Sequence, residues 1–429
     1  MKLRTLAQWL ALQESVHPKT IDMGLERVAS VARTLGLHKP TARVITVGGT
    51  NGKGSTVAHL DAILRATGAS TGMFTSPHFI RYNERIRVGG VEVEDAELID
   101  AFEQIEAARD STTLTFFEYN ALAALLIFAD RHVDVAILEV GLGGRLDAVN
   151  LVDADVSVVC SIGFDHRDYL GETLELIGAE KAGIFRSGRP AVLSTPDMPE
   201  SVYSTIQRLG ARPVVAGRDF SWQVESDQAA HDGGRWSYRG LQTTLSNLPA
   251  SALAGSIQYR NASASLAAVE SLNAGYRLNE QTVGEALRNV RLAGRFQVVS
   301  GPVEWILDIA HNEPAARVFA QHVRDRALPE SGHTFAVVGI LTDKDAREIA
   351  AALEPLVDHW ILCSLPGPRG GSASDLAQRL RLHADGVTLA DSVEEGCEVA
   401  RAAAVPGDRV IVFGSVYTVG PALQWLRVY

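Results

Sequence analysis

Apolar residues along this chain come in short blocks whose period keeps switching, and the switches outline the fold. Val44-Ile-Thr-Val47 has the pattern of a short buried strand and runs directly into a glycine-rich turn. From Ser55 to Ala66 apolar positions return at helical spacing, so the local order is strand, loop, helix. The alternation continues with a strand over Thr71–Thr75, helices over about 95–108 and 117–131, and strands over Val133–Glu139 and Asp155–Cys160. A further helix starts near Glu172. Strands alternating with helices predict an α/β fold with a parallel sheet covered on both faces. Before the first strand, residues 1–40 look helical with a break at 21–27, where Asp22 is placed to cap the helix that follows.

From about Pro213 to Leu248 the pattern changes to short polar and aromatic strands, and Trp222, Trp236 and Tyr238 fit a small antiparallel edge or flap. Helical spacing covers Gln258–Val290, after which strands are expected at Trp305–Ile309, Thr334–Gly339, His359–Ser364 and Arg409–Phe413 with helices between. The boundary falls near residue 293. It gives an N-terminal domain over 1–293 and a smaller α/β domain over 294–429, as expected for a 429-residue chain too long for one ordinary core.

Composition narrows the function classes. With a net charge of −11 there is no electrostatic basis for binding nucleic acid or an anionic membrane, although local basic pockets for small acids remain open. No apolar run reaches the length of a membrane span and no signal peptide is evident, so the expected location is the cytoplasm. Cys160, Cys363 and Cys397 lie far apart without metal-ligand spacing, and Cys160 and Cys363, which end apolar strand-like runs, read as buried inert thiols. No long apolar surface stretch argues for an interface, and a monomer is the default.

The chemistry starts at Val47-Gly-Gly-Thr-Asn-Gly-Lys-Gly-Ser55. Glycines at 49, 52 and 54 let backbone N–H groups approach an anion, Lys53 reaches toward β- and γ-phosphates, and the Ser55 hydroxyl is placed for Mg2+. Two departures from the usual phosphate-loop pattern are Gly54 between the lysine and the serine, and Val47 in the slot of the first glycine. Lys53, Ser76, Glu139 and His166 all follow strand ends, where ligands bind in parallel sheets. Glu139 is a solvent-facing carboxylate or, beside a phosphate loop, a Mg2+ ligand. His166 is a packing residue or, next to Asp165, a site residue better suited to Mn2+ than to Mg2+. Lys181, in a last helical turn, is by spacing alone a partner for the helix dipole. Asp308-Ile-Ala-His311-Asn312 is a turn capped by Asn312, a second polar cluster, or both. Arg295 is by default a surface arginine, though its place at the domain junction suits a phosphate contact.

These motifs together resemble the folylpolyglutamate synthase family, in particular its bacterial bifunctional dihydrofolate synthase branch, within the Mur ligase superfamily. The resemblance covers nearly the whole chain. It rests on Gly49-Thr-Asn-Gly-Lys-Gly-Ser55, Thr75-Ser-Pro-His78, Glu139-Val-Gly-Leu-Gly-Gly-Arg-Leu-Asp147, Asp165-His166, Glu180-Lys-Ala-Gly-Ile184, Gly294-Arg295 and Asp308-Ile-Ala-His-Asn312. Lys19-Thr-Ile-Asp-Met-Gly-Leu25 and Phe116-Phe-Glu-Tyr119 resemble pterin-side segments of the bifunctional branch. The resemblance implies a phosphate-loop ATPase domain followed by a Rossmann-like C-terminal domain. It implies ATP contacts at Gly49, Thr50, Asn51, Gly52, Lys53, Gly54, Ser55, Asn261, Arg295, Asp308, His311 and Asn312. Two Mg2+ ions, with Mn2+ or K+ compatible, would lie among Ser55, Ser76, Glu139, His166 and a Lys181 carbamylated by CO2. Catalytic roles would fall to Lys53, His166 and Lys181. Thr20, Ile21, Asp22, Phe117, Arg145 and Asp147 would lie on the pterin or folate side. Two details depart from the family: Ser55 stands where threonine is common, and Glu313 separates Asn312 from Pro314.

The implied reaction is ATP-driven joining of L-glutamate to dihydropteroate and then to reduced folates, through an acyl phosphate, with closure of the second domain as the gate. The alternatives are a monofunctional folylpolyglutamate synthase, another amino-acid ligase of the superfamily, or a nucleotide-gated binding protein without catalysis.

Overall fold

The computed structural model describes residues 4–19, 21–225, 234–382 and 386–429; Thr20 lies outside them. The chain divides into two compact units. The first comprises the described residues of Met1–Ser226 together with Arg235–Ser251 and Tyr259–Val290, and the second Ala252–Gln258 and Arg291–Tyr429.

The first unit opens with helices α1 (Leu6–Val16) and α2 (Glu26–Thr34), then β1 (Arg43–Gly48), α3 (Lys53–Ala66), β2 (Thr71–Phe74), β3 (Ile86–Val88), β4 (Val91–Glu92), α4 (Asp95–Arg109) and α5 (Phe116–Asp130). It continues with β5 (Val135–Glu139), β6 (Val156–Val159), α6 (Arg167–Leu170), α7 (Leu174–Ala182), β7 (Pro190–Leu193), α8 (Glu200–Leu209) and β8 (Arg212–Val215). Their sheet runs β4-β3-β2-β5-β1-β6-β7-β8. All pairings from β2 to β8 are parallel, and β3 and β4 add an antiparallel edge. Strands β1, β2, β5, β6 and β7 are buried almost throughout, which is why their sequences read as continuous apolar runs rather than alternating ones.

The polar and aromatic stretch divides between two sheets. β8, expected in the flap, extends the parallel sheet, while β9 (Ser221–Val224), β10 (Arg235–Arg239) and β11 (Thr244–Pro249) form a separate three-stranded antiparallel sheet. Trp236 and Tyr238 are fully buried there. Glu270, on α9 (Ile257–Leu272), accepts from the Tyr238 hydroxyl at 2.9 Å and from the backbone N–H groups of Leu241, Gln242 and Thr243. That carboxylate pins the small sheet to the helix. α10 (Glu280–Asn289) ends the unit.

The second unit holds β12 (Gln297–Val299), β13 (Glu304–Asp308), α11 (Glu313–Asp325), β14 (Thr334–Val338), α12 (Ala346–Leu353), β15 (His359–Cys363), α13 (Ala373–Leu380), β16 (Val387–Ala390), α14 (Val393–Ala403), β17 (Arg409–Phe413) and α15 (Val416–Leu426). Its six strands run β12-β13-β17-β14-β15-β16, parallel except for β12. The short edge strands β12 and β16 carry no continuous apolar run and were not expected from the sequence.

One local expectation is corrected. Asp22 does not cap α2; Leu25 occupies the cap position without a side-chain bond, and Asp22 instead pairs with Arg27 at 2.8 Å and Lys19 at 3.3 Å. The helix expected to start near Glu172 does so at Leu174, where the Thr173 hydroxyl caps it. All three cysteines are free and buried. Among the described residues no helix is long and apolar enough to cross a membrane.

Candidate active site

Register brings the signal residues of the first unit to one edge. β1 lies between β5 and β6, with Glu139 beside Val47 and Val159 beside Gly48, so the segments leaving these three strands are neighbours. β2 pairs on the far side of β5, and the Ser76 N–H reaches the Glu139 carboxylate at 3.2 Å. Chain order thus reverses direction around β1, the place where parallel sheets open a crevice for ligands.

The loop from Gly49 to Gly52 is held by the segment after β6. Thr50 N–H donates to Ser161 O at 2.7 Å, and the Thr50 hydroxyl donates to Gly163 O at 3.0 Å and accepts from Gly163 N–H at 3.0 Å. Ser161 Oγ accepts from Asn51 N–H at 3.1 Å and donates to Asn51 O at 3.0 Å. Ser161 was missed in the sequence; a serine just past an apolar strand is too common to stand out. Gly49 and Gly52 carry φ of +136° and +92°, and a Cβ on Gly49 would come 3.0 Å from the Cys160 backbone nitrogen. Backbone conformation and space both require glycine there. Gly52 is also the N-cap of α3 and offers no side chain to its first-turn N–H groups, which, with the helix dipole, suit an incoming anion.

Lys53 Nζ donates to Gly49 O at 3.0 Å and Thr50 O at 3.1 Å. Lys181 Nζ donates to the same Gly49 oxygen at 3.1 Å. Lys181 is therefore not a solvated partner of a helix end: it is buried in α7 against the loop. Burial first, and then the Lys53 ammonium, lower its pKa from 10.5 to about 7, against opposing pulls from Asp165 and Asp147. Ser55 and Glu139 are buried too, which removes the solvent-facing reading of Glu139. His166 stands at the left-handed turn before α6, its Nε2 3.9 Å from Asp165 Oδ1. Asn261 is buried against the loop, its Oδ1 3.1 Å from where a Gly52 Cβ would stand.

The donor types suit a hard divalent cation: the Ser55 and Ser76 hydroxyls, the buried Glu139 carboxylate and the His166 imidazole, on segments that meet the same end of the sheet. Among the described residues no three His, Cys, Asp or Glu side chains form a metal cage. A cation held here would complete its shell with hydroxyl, water and phosphate oxygens, the habit of Mg2+ in phosphoryl-transfer sites.

The pterin-side candidates gather on the same unit. Arg27 joins Asp22 to Glu118 at 3.1 Å, tying the 21–27 segment, with half-buried Ile21, to the start of α5. A capping box between Thr115 and Glu118 starts α5 at Phe116, which places Phe117 in its first turn. The Phe117 ring lies 5.7 Å from that of Phe74 and against Gly141, where a Cβ would come 2.5 Å from its Cζ. Met23 reaches Gly143 in the loop that ends at Asp147. Asp147 is buried, accepts from Leu142 N–H at 2.8 Å and Val149 N–H at 3.0 Å, and has its pKa raised to about 6 by burial. Arg145 makes two bonds to Glu180 Oε1, at 2.9 and 2.7 Å.

The remaining candidates form a cluster within the second unit. Asp308 accepts from Phe296 N–H at 2.7 Å and Ala310 N–H at 2.8 Å, and burial raises its pKa against the pull of Arg295 and His311. His311 Nδ1 donates to Ile309 O at 2.8 Å. Asn312 caps α11, accepting from Ala315 N–H at 3.0 Å, so the helix starts at Glu313 despite the displaced proline. Arg295 is half-buried rather than a bare surface arginine.

A glycine-rich loop between β1 and α3 with a buried lysine against it, in a chain that carries a second α/β unit, matches the Mur ligase class. The Mur ligase middle domain matches residues 47–269, and the Mur ligase glutamate ligase domain matches residues 294–416. Within that class the chain belongs to the dihydrofolate synthase/folylpolyglutamate synthase family. It is 43% identical to the Escherichia coli (strain K12) dihydrofolate synthase/folylpolyglutamate synthase over 98% of this chain and 95% of the relative. The Haemophilus influenzae protein of that name is 39% identical, over 96% of each. Among solved structures, E. coli FolC in complex with DHPP and ADP superposes with a TM-score of 0.91 at 42% identity, covering 99% of this chain and 98% of that one. A bifunctional folylpolyglutamate synthase/dihydrofolate synthase with Mn, AMPPNP and L-glutamate bound superposes at 0.90 and 40% identity, covering 99% and 98%.

Proposed function

We propose that this chain uses ATP to join L-glutamate to 7,8-dihydropteroate, giving dihydrofolate, and to add further glutamates to reduced folates. The observation that carries the reading is the meeting of phosphate loop, Glu139 and buried Lys181 on one sheet edge. Family membership and the ligands named for its relatives, ADP, AMPPNP, Mn, L-glutamate and DHPP, support it.

In this reading a carboxylate oxygen of the pteroate attacks the γ-phosphorus, the bond to the β-phosphate oxygen breaks, and ADP leaves. The glutamate α-amine then attacks the acyl carbon and loses a proton, and inorganic phosphate departs. Lys53 turns from the carbonyls of its own loop to the β- and γ-phosphates, and the N–H groups at the start of α3 hold phosphate oxygens. Ser55, Ser76, Glu139, His166 and a carbamylated Lys181 would hold the divalent cations, which would supply charge neutralisation at the phosphoryl group. Lys181 fits carbamylation because its low pKa leaves a neutral amine to take up CO2, with release of a proton. Asn261 lines the loop, and Arg295, Asp308, His311 and Asn312, which belong to the second unit, are assigned to the nucleotide by the family resemblance. Ile21, Asp22, Phe117, Arg145 and Asp147 line the pterin side, with the Phe117 ring as an apolar wall. Thr20 is assigned there by the family resemblance alone.

ADP release with Mg2+-ATP and L-glutamate tests the reading. Addition of dihydropteroate is expected to switch release on, and a reduced folate to do the same. Release with the reduced folate alone would reduce the chain to a tail-extending synthase, and silence with both would refute the folate reading.

A further inference from the structure

Arg260 lies in the first turn of α9, immediately before Asn261, and neither the motifs nor the family resemblance gave it a role. Its surroundings locate it beside the phosphate loop. Ser265 Oγ, one turn further along α9, donates to Thr56 O at 3.1 Å and Asn261 O at 2.9 Å, which docks α9 on α3. Cys160 lies under the loop, its Cβ 3.4 Å from where a Gly52 Cβ would stand. The charges that act on this thiol are those of Arg260, Lys53 and Glu139. Arg260 therefore belongs to the same electrostatic group as Lys53.

What sets this arginine apart is that the protein does not satisfy it. Its Nε is buried without a hydrogen-bond partner, and among the described residues the side chain makes no ion pair. Burial lowers its pKa. Arg409, the buried arginine of the second unit, is by contrast paired with Glu304 and bonded to three carbonyls. A guanidinium nitrogen buried without an acceptor is costly, and a cation in the first turn of a helix adds an unfavourable dipole contact. Both penalties are relieved by an anion arriving at that point, where the α9 and α3 N-terminal turns and Lys53 already concentrate positive potential.

We propose that Arg260 is an anion-holding residue of the nucleotide site, its guanidinium bonding a non-bridging oxygen of the phosphate chain of ATP and retaining that contact with product ADP. The proposal rests on the nucleotide-site reading above. Lys53 is a point charge for the β- and γ-phosphates, whereas Arg260 offers a planar fork suited to two oxygens and fixes the chain's direction along the loop.

The test is titration calorimetry of the full chain with ADP at fixed ionic strength, on wild type, Arg260→Met, Arg260→Lys and Lys53→Ala, with thermal melts with and without nucleotide. Loss of one charged bond predicts roughly 10- to 100-fold weaker ADP binding for Arg260→Met. Arg260→Lys should recover part of it. Adenosine, measured by competition, should bind both variants as it binds wild type. The nucleotide-free melting temperature should stay level or rise in Arg260→Met, since an unsatisfied charge has been removed. ADP affinity within about twofold of wild type would overturn the proposal, as would a nucleotide-free melt lowered in step with affinity, the mark of a merely structural role. An equal loss for adenosine would overturn it in favour of the base, and a raised KM for glutamate with unchanged ADP affinity in favour of the amino-acid carboxylate. The nucleotide-site reading fails separately: ADP that does not bind wild type, or that binds Lys53→Ala equally well, removes both.

Discussion

Lys181 gives the sharpest chemical prediction, because its reactivity depends on a proton that burial has already loosened. Carbamylation consumes the neutral amine: R–NH2 and CO2 give R–NH–COO− and one proton. An ordinary lysine at pH 7.5 is neutral in about one molecule per thousand, whereas a pKa of about 7 leaves about three-quarters neutral, a gain of several hundred-fold in the reactive form. The perturbation is pH, from 6 to 8.5, at fixed dissolved CO2, on protein first stripped of CO2. The rate at which turnover recovers should rise through a midpoint near pH 7 and level off above it. In parallel, 13C-bicarbonate should place one carbamate carbon resonance on wild type and none on Lys181→Arg. The folded pKa lies below the unfolded one, so the sign for stability is fixed: burial of the ammonium costs stability fully below about pH 7, and the cost fades as pH rises toward 10.5. Its limiting size is roughly 5 kcal/mol. Lys181→Met should accordingly melt higher than CO2-free wild type at neutral pH while losing turnover. A Lys181→Met variant with near-normal turnover, or labelled protein without a carbamate carbon, would refute the reasoning.

Three further substitutions probe the surrounding structure. Lys53→Ala should lower the rate of ADP release by at least about 100-fold with little change in melting temperature, as expected for a charge that acts on the transferring phosphoryl group; near-normal turnover would remove the phosphate-loop assignment. Gly52→Ala should cost about 1–2 kcal/mol of stability by denaturant unfolding, since it forces a side chain into φ +92° with its Cβ 3.1 Å from Asn261 Oδ1, and should weaken ADP binding as well. In Asp147→Asn the amide sets an N–H donor against a backbone N–H and should cost about 1–3 kcal/mol. Because burial raises the Asp147 pKa to about 6, the contribution of the acid to stability is present below about pH 4 and lost as pH rises through 6, and this slope should vanish in the variant.

How much the sequence discloses depends on whether chemistry and local backbone speak together. The strand–loop–helix unit was legible because strand, glycines and helix coincide within twelve residues of one another, and β1, α3 and the Gly52 turn follow that reading closely. Glu139 was legible as a strand-ending acid, although its burial follows from β5 lying between β1 and β2, a fact of strand order that no local pattern carries. Lys181 was misleading by spacing alone. A last-turn lysine is ordinarily solvated, and only the docking of α7 against the loop turns it inward. Asp22 failed as a cap for a similar reason: Arg27 and Lys19 compete for the carboxylate that a local rule assigns to helix N–H groups. The misplaced β8 shows the same limit, since Arg212-Pro-Val-Val215 has the length of a flap strand and its membership of the parallel sheet is decided by pairing with β7.

The central claim, activation of a substrate carboxylate by ATP before glutamate attacks, is tested most directly with dihydropteroate carrying 18O in its carboxylate. Incubated with the enzyme, Mg2+-ATP and L-glutamate, it should deliver one 18O atom to the inorganic phosphate released for each amide formed, read by mass spectrometry of the phosphate. Phosphate free of label, with amide and ADP still produced, would contradict the acyl-phosphate route and with it the role assigned to the phosphate loop.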